Sequence, residues 1–155
     1  MSTKQIAIEW SDRLKLGLPL VDRQHERLVE LTNNLYFACL KSPDIANSFF
    51  MNATSEAVEY VKYHFTTEEK IMVILEYPGY SIHKSQHHGF VMEVLRQSAN
   101  LPTGRSLAPN RFVHFLKEWI LSHIAVSDKA MVDYILSLKN HEKLLNLFPK
   151  PPQGK

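Results

Sequence analysis

The chain has 155 residues, a length that fits one domain with a sizeable core. Its formal charge of +2 comes from a basic C-terminal segment, residues 139–155, and the near-neutral remainder does not resemble a nucleic-acid-binding protein. The sequence has no run of about 18 apolar residues and no apolar signal segment, which argues against a membrane span and against secretion. Its single cysteine, Cys39, excludes an internal disulfide and fits a reducing compartment, so we expect a cytoplasmic protein.

Apolar residues at alternating spacings of three and four predict four amphipathic helices. The first covers residues 21–40, the second runs from about 44 to 77, and the third covers 80–99. A loop at 100–109, NLPTGRSLAP, precedes the fourth helix, which begins near Asn110. Since no segment shows a strand period, the sequence predicts an all-α protein, an antiparallel up-down four-helix bundle.

The C-terminal part is predicted to add a short helix, residues 129–138, to the bundle. We therefore assign residues 1–138 to one bundle domain and residues 139–155 to a basic C-terminal extension.

Polar side chains interrupt the apolar stripes that should face the bundle axis. They are His25, His64, Glu68, His83, His87 and His123. A single buried histidine is usually satisfied by a core hydrogen bond, and one i, i+4 pair arises easily by chance. Here, however, two such pairs point inward from two helices, and the other two helices add further histidines. Burying this set without partners would cost several kcal/mol, and a metal would give each group a bond.

A further carboxylate, Asp128, follows His123 by five residues. Five residues of a regular α-helix turn this side chain about 140° away from the histidine. For Asp128 to share the site, the fourth helix must loosen or end between Ile124 and Asp128. Ser127 and Asp128 favour such a break because short polar side chains compete for backbone groups.

Four other polar residues lie off the stripes and serve as an internal control. Glu69 is rotated about 100° from Glu68 and should be solvated. His88 and His114 are predicted to be surface residues for the same reason. His141 is predicted to be a surface residue because it lies in the C-terminal extension.

The ligand inventory indicates the class of metal. Five imidazoles and two carboxylates with no thiolate exceed what one tetrahedral zinc requires. The set suits two intermediate metal ions bridged by carboxylates, with iron as the leading choice. No His-Glu-x-x-His sequence occurs, so a zinc protease is not indicated.

Sequence blocks across most of the chain resemble the bacterial hemerythrins, the non-heme di-iron oxygen-binding family. The first block holds Trp10, Gly17, Asp22, Gln24 and His25. The others are YHFTTEEKIM from position 63, YPGYSIHKSQH from position 77 and WILSHIAVSD from position 119. Met131 stands where the family often has a tyrosine, three residues after the aspartate.

The resemblance implies a ligand arrangement for two iron ions. Three histidines would hold one iron: His83, His87 and His123. His25 and His64 would hold the other, with Glu68, Asp128 and an oxo or hydroxo group as bridges.

The resemblance also implies a function, which is reversible O2 binding for carriage or storage rather than enzymatic catalysis. The two-histidine iron would lack one ligand and bind O2 there, in a pocket lined by Trp119, Ile120 and Ile124. Two alternatives remain open: an oxygen or redox sensor acting through a partner protein, and a protein that handles nitric oxide or peroxide. No protein partner is indicated by the sequence.

Overall fold

The structure is a computed structural model that describes residues 8–39, 43–98 and 108–146. Within these ranges the chain forms a 3-10 turn, Asp12–Leu14, and helices α1 (Pro19–Cys39), α2 (Pro43–Ile74), α3 (Tyr80–Ser98), α4 (Ala108–His123), α5 (Lys129–Ser137) and α6 (His141–Leu145). A π-helical segment, Ile124–Asp128, connects α4 to α5. The described ranges contain no strand, and none of their helices has the length and apolar content that a bilayer span requires.

Four of these helices close into a bundle. Helix α1 packs on α2 and α4, and α3 packs on the same two neighbours. The predicted antiparallel four-helix bundle is therefore confirmed, with helix bounds that differ by at most three residues from those expected. Most of the predicted loop at 100–109 lies outside the described residues.

The bundle core consists of two apolar clusters with a polar layer between them. The larger cluster includes Leu28, Val61, Phe90 and Ile120, and the smaller one includes Val21, Ile71 and Met131. Along α1, α2 and α3 the inward-facing polar residues lie between a residue that packs in one cluster and a residue of the other. The apolar clusters thus hold the backbones on both sides of the polar layer in fixed register.

Helix α2 ends in a Schellman motif at a residue that is not glycine. Glu76 has a φ of 53°, its N–H donates to the Val73 carbonyl at 3.2 Å, and the Tyr77 N–H donates to the Met72 carbonyl at 2.9 Å. The Tyr134 hydroxyl of α5 donates to the Leu75 carbonyl at 2.9 Å, which ties this turn to α5. The chain can therefore reverse within a few residues and start α3 beside α2.

The C-terminal part contains one element that sequence patterns did not predict. The predicted helix 129–138 is present as α5, whose residues Met131, Val132 and Ile135 are buried in the smaller cluster. Helix α6 follows within the predicted extension, and its Leu145 packs against the same cluster. Residues 147–155 lie outside the described ranges, and the division at residue 138 stays a prediction.

We expect Glu76→Gly to stabilise the protein because Glu76 is exposed and adopts a left-handed conformation that favours glycine. The free energy of unfolding should rise by about 0.5–1 kcal/mol. Urea denaturation with a fixed m-value measures the change.

The same substitution at the exposed Glu118, inside α4, is the matched control. There a glycine should lower the free energy of unfolding by about 0.5–1 kcal/mol. Equal effects of both substitutions would contradict the assigned turn.

Candidate metal centre

Seven side chains of the types that can bind a metal meet in the polar layer, and all are at least nine-tenths buried. They are His25, His64, Glu68, His83, His87, His123 and Asp128. Their atoms form two groups, each of which lies within 4.8 Å and could hold a metal ion. The structure thus brings together every residue that the sequence pattern singled out, Asp128 included.

The first group contains three histidines whose Nε2 atoms converge. His123 Nε2 lies 3.0 Å from His83 Nε2 and 3.1 Å from His87 Nε2. With bonds of about 2.1 Å, neighbouring ligand atoms lie about 3.0 Å apart in an octahedron and about 3.4 Å apart in a tetrahedron. Both separations therefore suit neighbouring ligand atoms of an octahedral site.

The second group contains two histidines from α1 and α2. His25 Nε2 lies 2.9 Å from Asp128 Oδ2, and His64 Nε2 lies 3.6 Å from Glu68 Oε1. This group thus presents two nitrogens and two carboxylate oxygens, one nitrogen fewer than the first.

Glu68 and Asp128 belong to both groups and divide their oxygens between them. Glu68 Oε2 lies 3.3 Å from His87 Nε2, whereas Oε1 faces His25 and His64 at 3.9 and 3.6 Å. Asp128 Oδ1 lies 3.1 Å from both His83 and His123 Nε2, whereas Oδ2 faces His25. Each carboxylate is therefore placed to bridge two metal ions.

The hydrogen bonding of these buried atoms tests whether a metal fits. Both oxygens of Glu68 and of Asp128, and both ring nitrogens of His25, make no hydrogen bond within the described residues. Histidine nitrogens lie 2.9–3.9 Å from the carboxylate oxygens but complete no hydrogen bond with them. Unsatisfied buried charges are costly, and cations bound between them remove that cost. The donor set therefore fits two metal ions.

The π-helical segment explains how Asp128 reaches the site. The Lys129 N–H bonds to the Ile124 carbonyl, five residues back. Such a wider turn accommodates one extra residue and returns Asp128 to the side of His123. The predicted loosening between Ile124 and Asp128 is present, and it takes the form of a π-turn that continues into α5 rather than a break.

Comparison with known proteins identifies the family. The sequence matches the hemerythrin HHE cation-binding domain over residues 16–135. The chain belongs to this family.

Curated relatives agree with this result. A bacteriohemerythrin of Stenotrophomonas maltophilia is 28% identical over 94% of this chain and 88% of its own length. A bacteriohemerythrin of Pseudomonas aeruginosa is 29% identical over 81% of this chain and 80% of its own length. One of Clostridium acetobutylicum is 27% identical over 80% of this chain and 98% of its own length.

Two histidines of this hemerythrin domain are oriented by neighbouring side chains. The His64 Nδ1–H donates to Gln24 Oε1 at 2.9 Å, and the His87 Nδ1–H donates to Glu69 Oε1 at 3.1 Å. Both contacts leave Nε2 free to bind a metal. Glu69, which was predicted to be solvated, has a side chain that is only 26% exposed, because α3 places His87 within its reach.

The three control histidines lie outside the centre. His88 and His114 are exposed, and the partly buried His141 has its Nδ1 3.0 Å from the Leu138 carbonyl. None of them joins either group of metal-binding side chains found in the described residues.

The metal-free centre carries negative charge on its carboxylates at neutral pH. Burial and the charge of Asp128 act to raise the pKa of Glu68, but the surrounding histidines outweigh them and lower it to about 2. Burial lowers the pKa of His64 to about 4, so this ring is neutral. Burial also opposes a charge on His83, but the facing carboxylates outweigh it and raise its pKa to about 9.

Apolar side chains cover the side of the centre that faces the larger cluster. The Trp119 ring stacks on His123 with centroids 4.2 Å apart, and the Phe65 ring stacks on His87 at 3.7 Å. A cavity of about 10 Å³ lies against His64 and His123. Its lining includes the three residues predicted to form a gas pocket, Trp119, Ile120 and Ile124.

We expect a divalent metal to stabilise the metal-free protein, because it gives partners to the unsatisfied buried atoms. Anaerobic Fe²⁺ at 100 times its dissociation constant should raise the free energy of unfolding by about 2.7 kcal/mol, and a chelator should reverse the gain. Thermal or urea denaturation followed by circular dichroism measures the effect.

The control variant replaces His88, His114 and His141 together by glutamine. It should show the same gain, since these side chains lie outside the centre. Loss of the gain in this variant, or no gain in the unaltered protein, would contradict the assignment of the centre.

Proposed function

We propose that the protein binds O2 reversibly at a carboxylate-bridged di-iron centre and so carries or stores it. The observation that carries this proposal is the asymmetry of the centre. Two metal-binding groups share Glu68 and Asp128, but one offers five ligand atoms and the other four. An octahedral ion in the smaller group has more room for an outside ligand.

The ligand assignment follows the two groups. His83, His87 and His123 hold one iron, His25 and His64 hold the other, and Glu68 and Asp128 bridge them. Imidazole and carboxylate ligands without thiolate suit iron, and the separations of His123 Nε2 from the other two Nε2 atoms suit an octahedral ion better than tetrahedral zinc. When bound, the two irons supply the electrons that reversible O2 binding requires.

The side chains around the centre favour reversible binding over oxidation chemistry. Trp119, Ile120 and Ile124 present apolar surface to the small cavity beside His64. Such a wall admits a small neutral gas, disfavours charged substrates and limits the supply of water and protons. The bacteriohemerythrin names of the relatives support the same conclusion.

The tests below distinguish O2 carriage from two other functions that the same centre could serve. A sensor would couple the state of the centre to a partner protein. A detoxifying protein would react with nitric oxide or peroxide at the open position. The proposal excludes enzymatic turnover as the main activity.

Glu68→Ala should release iron because it removes a ligand atom from both groups at once. Iron content should fall from about two ions per chain to less than about one, measured by elemental analysis after gel filtration.

Glu69→Ala is the matched control, one residue along the same helix. It removes the hydrogen bond to His87 Nδ1 and an ion pair with Lys84 but no atom of either group, so two irons should remain bound. Equal iron contents in the two variants would overturn the ligand assignment.

The reduced protein should bind O2 reversibly. After anaerobic reduction, addition of O2 should produce charge-transfer absorption in the near-ultraviolet and visible range, and vacuum should restore the colourless reduced state over several cycles.

A change of absorption that vacuum does not reverse would contradict carriage. Rapid irreversible oxidation with release of peroxide would instead support the sensor or detoxification readings.

A further inference from the structure

A second cavity lies between α2, α3 and α4, among residues of the larger apolar cluster. Its volume is about 120 Å³. Most of its lining is apolar, and the lining residues are Thr54, Ala57, Val58, Val61, Lys62, Phe90, Val91, Val94, Leu95, Phe112 and Leu116. We call it the outer cavity, and the small cavity beside His64 and His123 the inner cavity.

The outer cavity extends from the protein surface into the core. Lys62 and Leu95, at one side of its lining, are exposed, and Leu95 is 59% accessible. Phe90, Phe112 and Leu116 are buried. A molecule that enters the cavity beside these exposed residues therefore reaches buried apolar side chains of the bundle without crossing a polar layer.

Val61 and Phe90 line both cavities. Phe90 is held in place by rings around it, since its centroid lies 4.2 Å from that of Trp119, 5.7 Å from that of Phe65 and 5.6 Å from that of Phe115. Val61 has the smaller side chain and is the more exposed of the two, at 8% against 3% for Phe90. Of the two shared side chains, Val61 is thus the one that can move with less disturbance of the core.

The outer cavity suits a small neutral apolar molecule. A water molecule needs two to four polar partners, and among the lining residues only Thr54 and Lys62 carry polar side chains. Engineered cavities of about 150 Å³ lined by aliphatic and aromatic side chains stay dry and bind xenon or benzene. The outer cavity is close to these in size and lining.

We propose that the outer cavity is a binding site for small neutral gases and the route by which they reach the inner cavity, with Val61 as the gate. The identity of the gas as O2 rests on the proposed function. The existence of the site and of the route does not, because both follow from the lining of the two cavities.

The first test places xenon in the cavity of the full-length protein as purified. Xenon-pressurised crystals, or xenon-129 NMR, should show one bound xenon among Ala57, Val94 and Leu116. In Ala57→Leu the added side chain fills the outer cavity, and xenon occupancy should be lost.

Ala53→Leu is the matched control. Ala53 lies one turn earlier on α2, is partly buried against the same apolar cluster, and lines neither cavity. Xenon occupancy in this variant should equal that of the unaltered protein. Absence of xenon from the unaltered protein, or equal occupancy in Ala57→Leu, overturns the binding site.

The second test measures arrival of O2 at the irons by stopped-flow mixing of the reduced protein with O2. Ala57→Leu should slow the absorption change several-fold, Ala53→Leu should leave it unchanged, and Val61→Ala should accelerate it. Where O2 can be removed again, its dissociation should slow by the same factor as its association. The equilibrium affinity for O2 should then stay constant, because the substitution changes the route and leaves the O2-free and O2-bound states of the centre unchanged.

These rates separate failure of the route from failure of the proposed function. Irreversible oxidation that is slowed by Ala57→Leu contradicts carriage but supports the route. Reversible binding whose rates are identical in all four proteins supports carriage and overturns the route.

Discussion

The burial of two carboxylates among five histidines is the constraint on which the rest of the structure depends. Glu68 and Asp128 are fully buried, and no hydrogen bond within the described residues satisfies their oxygens. In a low-dielectric core such charges need cations at short range. Each carboxylate directs one oxygen to each histidine group, so cations at two positions would meet this need. All four bundle helices contribute to the layer, so any shift of one helix would pull ligand atoms out of register. The apolar clusters on both sides prevent that shift.

Much of this centre can be predicted from sequence because the i, i+4 spacing is a local property. His64 and Glu68, or His83 and His87, share a helix face whatever surrounds them. Asp128 needs more information, since its position depends on a π-turn whose only local sign is the polar pair Ser127 and Asp128. Glu69 shows the limit of the method: its rotation from the stripe was predicted correctly, but its contact with His87 depends on how closely α3 packs against α2.

The π-turn does more than direct Asp128 inward. Because the helix continues through it, α5 leaves the bundle on a defined course and buries Met131, Val132 and Ile135 in the smaller cluster. From α5, Tyr134 donates a hydrogen bond to the carbonyl that ends α2, the helix that supplies Glu68. The segments that carry Glu68 and Asp128 are therefore connected by this hydrogen bond as well as at the centre. Sequence periodicity cannot reveal this connection, which joins residues 59 positions apart.

The two sides of the centre also differ in the groups that support their histidines. On the three-histidine side, His87 donates to the carboxylate of Glu69, which makes the ring a stronger electron donor. On the two-histidine side, His64 donates to the neutral amide of Gln24, a weaker effect. In the proposed assignment, the iron with the fuller ligand set also has the more basic ring. The inner cavity borders ligands of both irons, His64 on the open side and His123 on the other. The open position thus adjoins the apolar inner cavity at His64, and the rings of Trp119 and Phe65 cover the neighbouring His123 and His87.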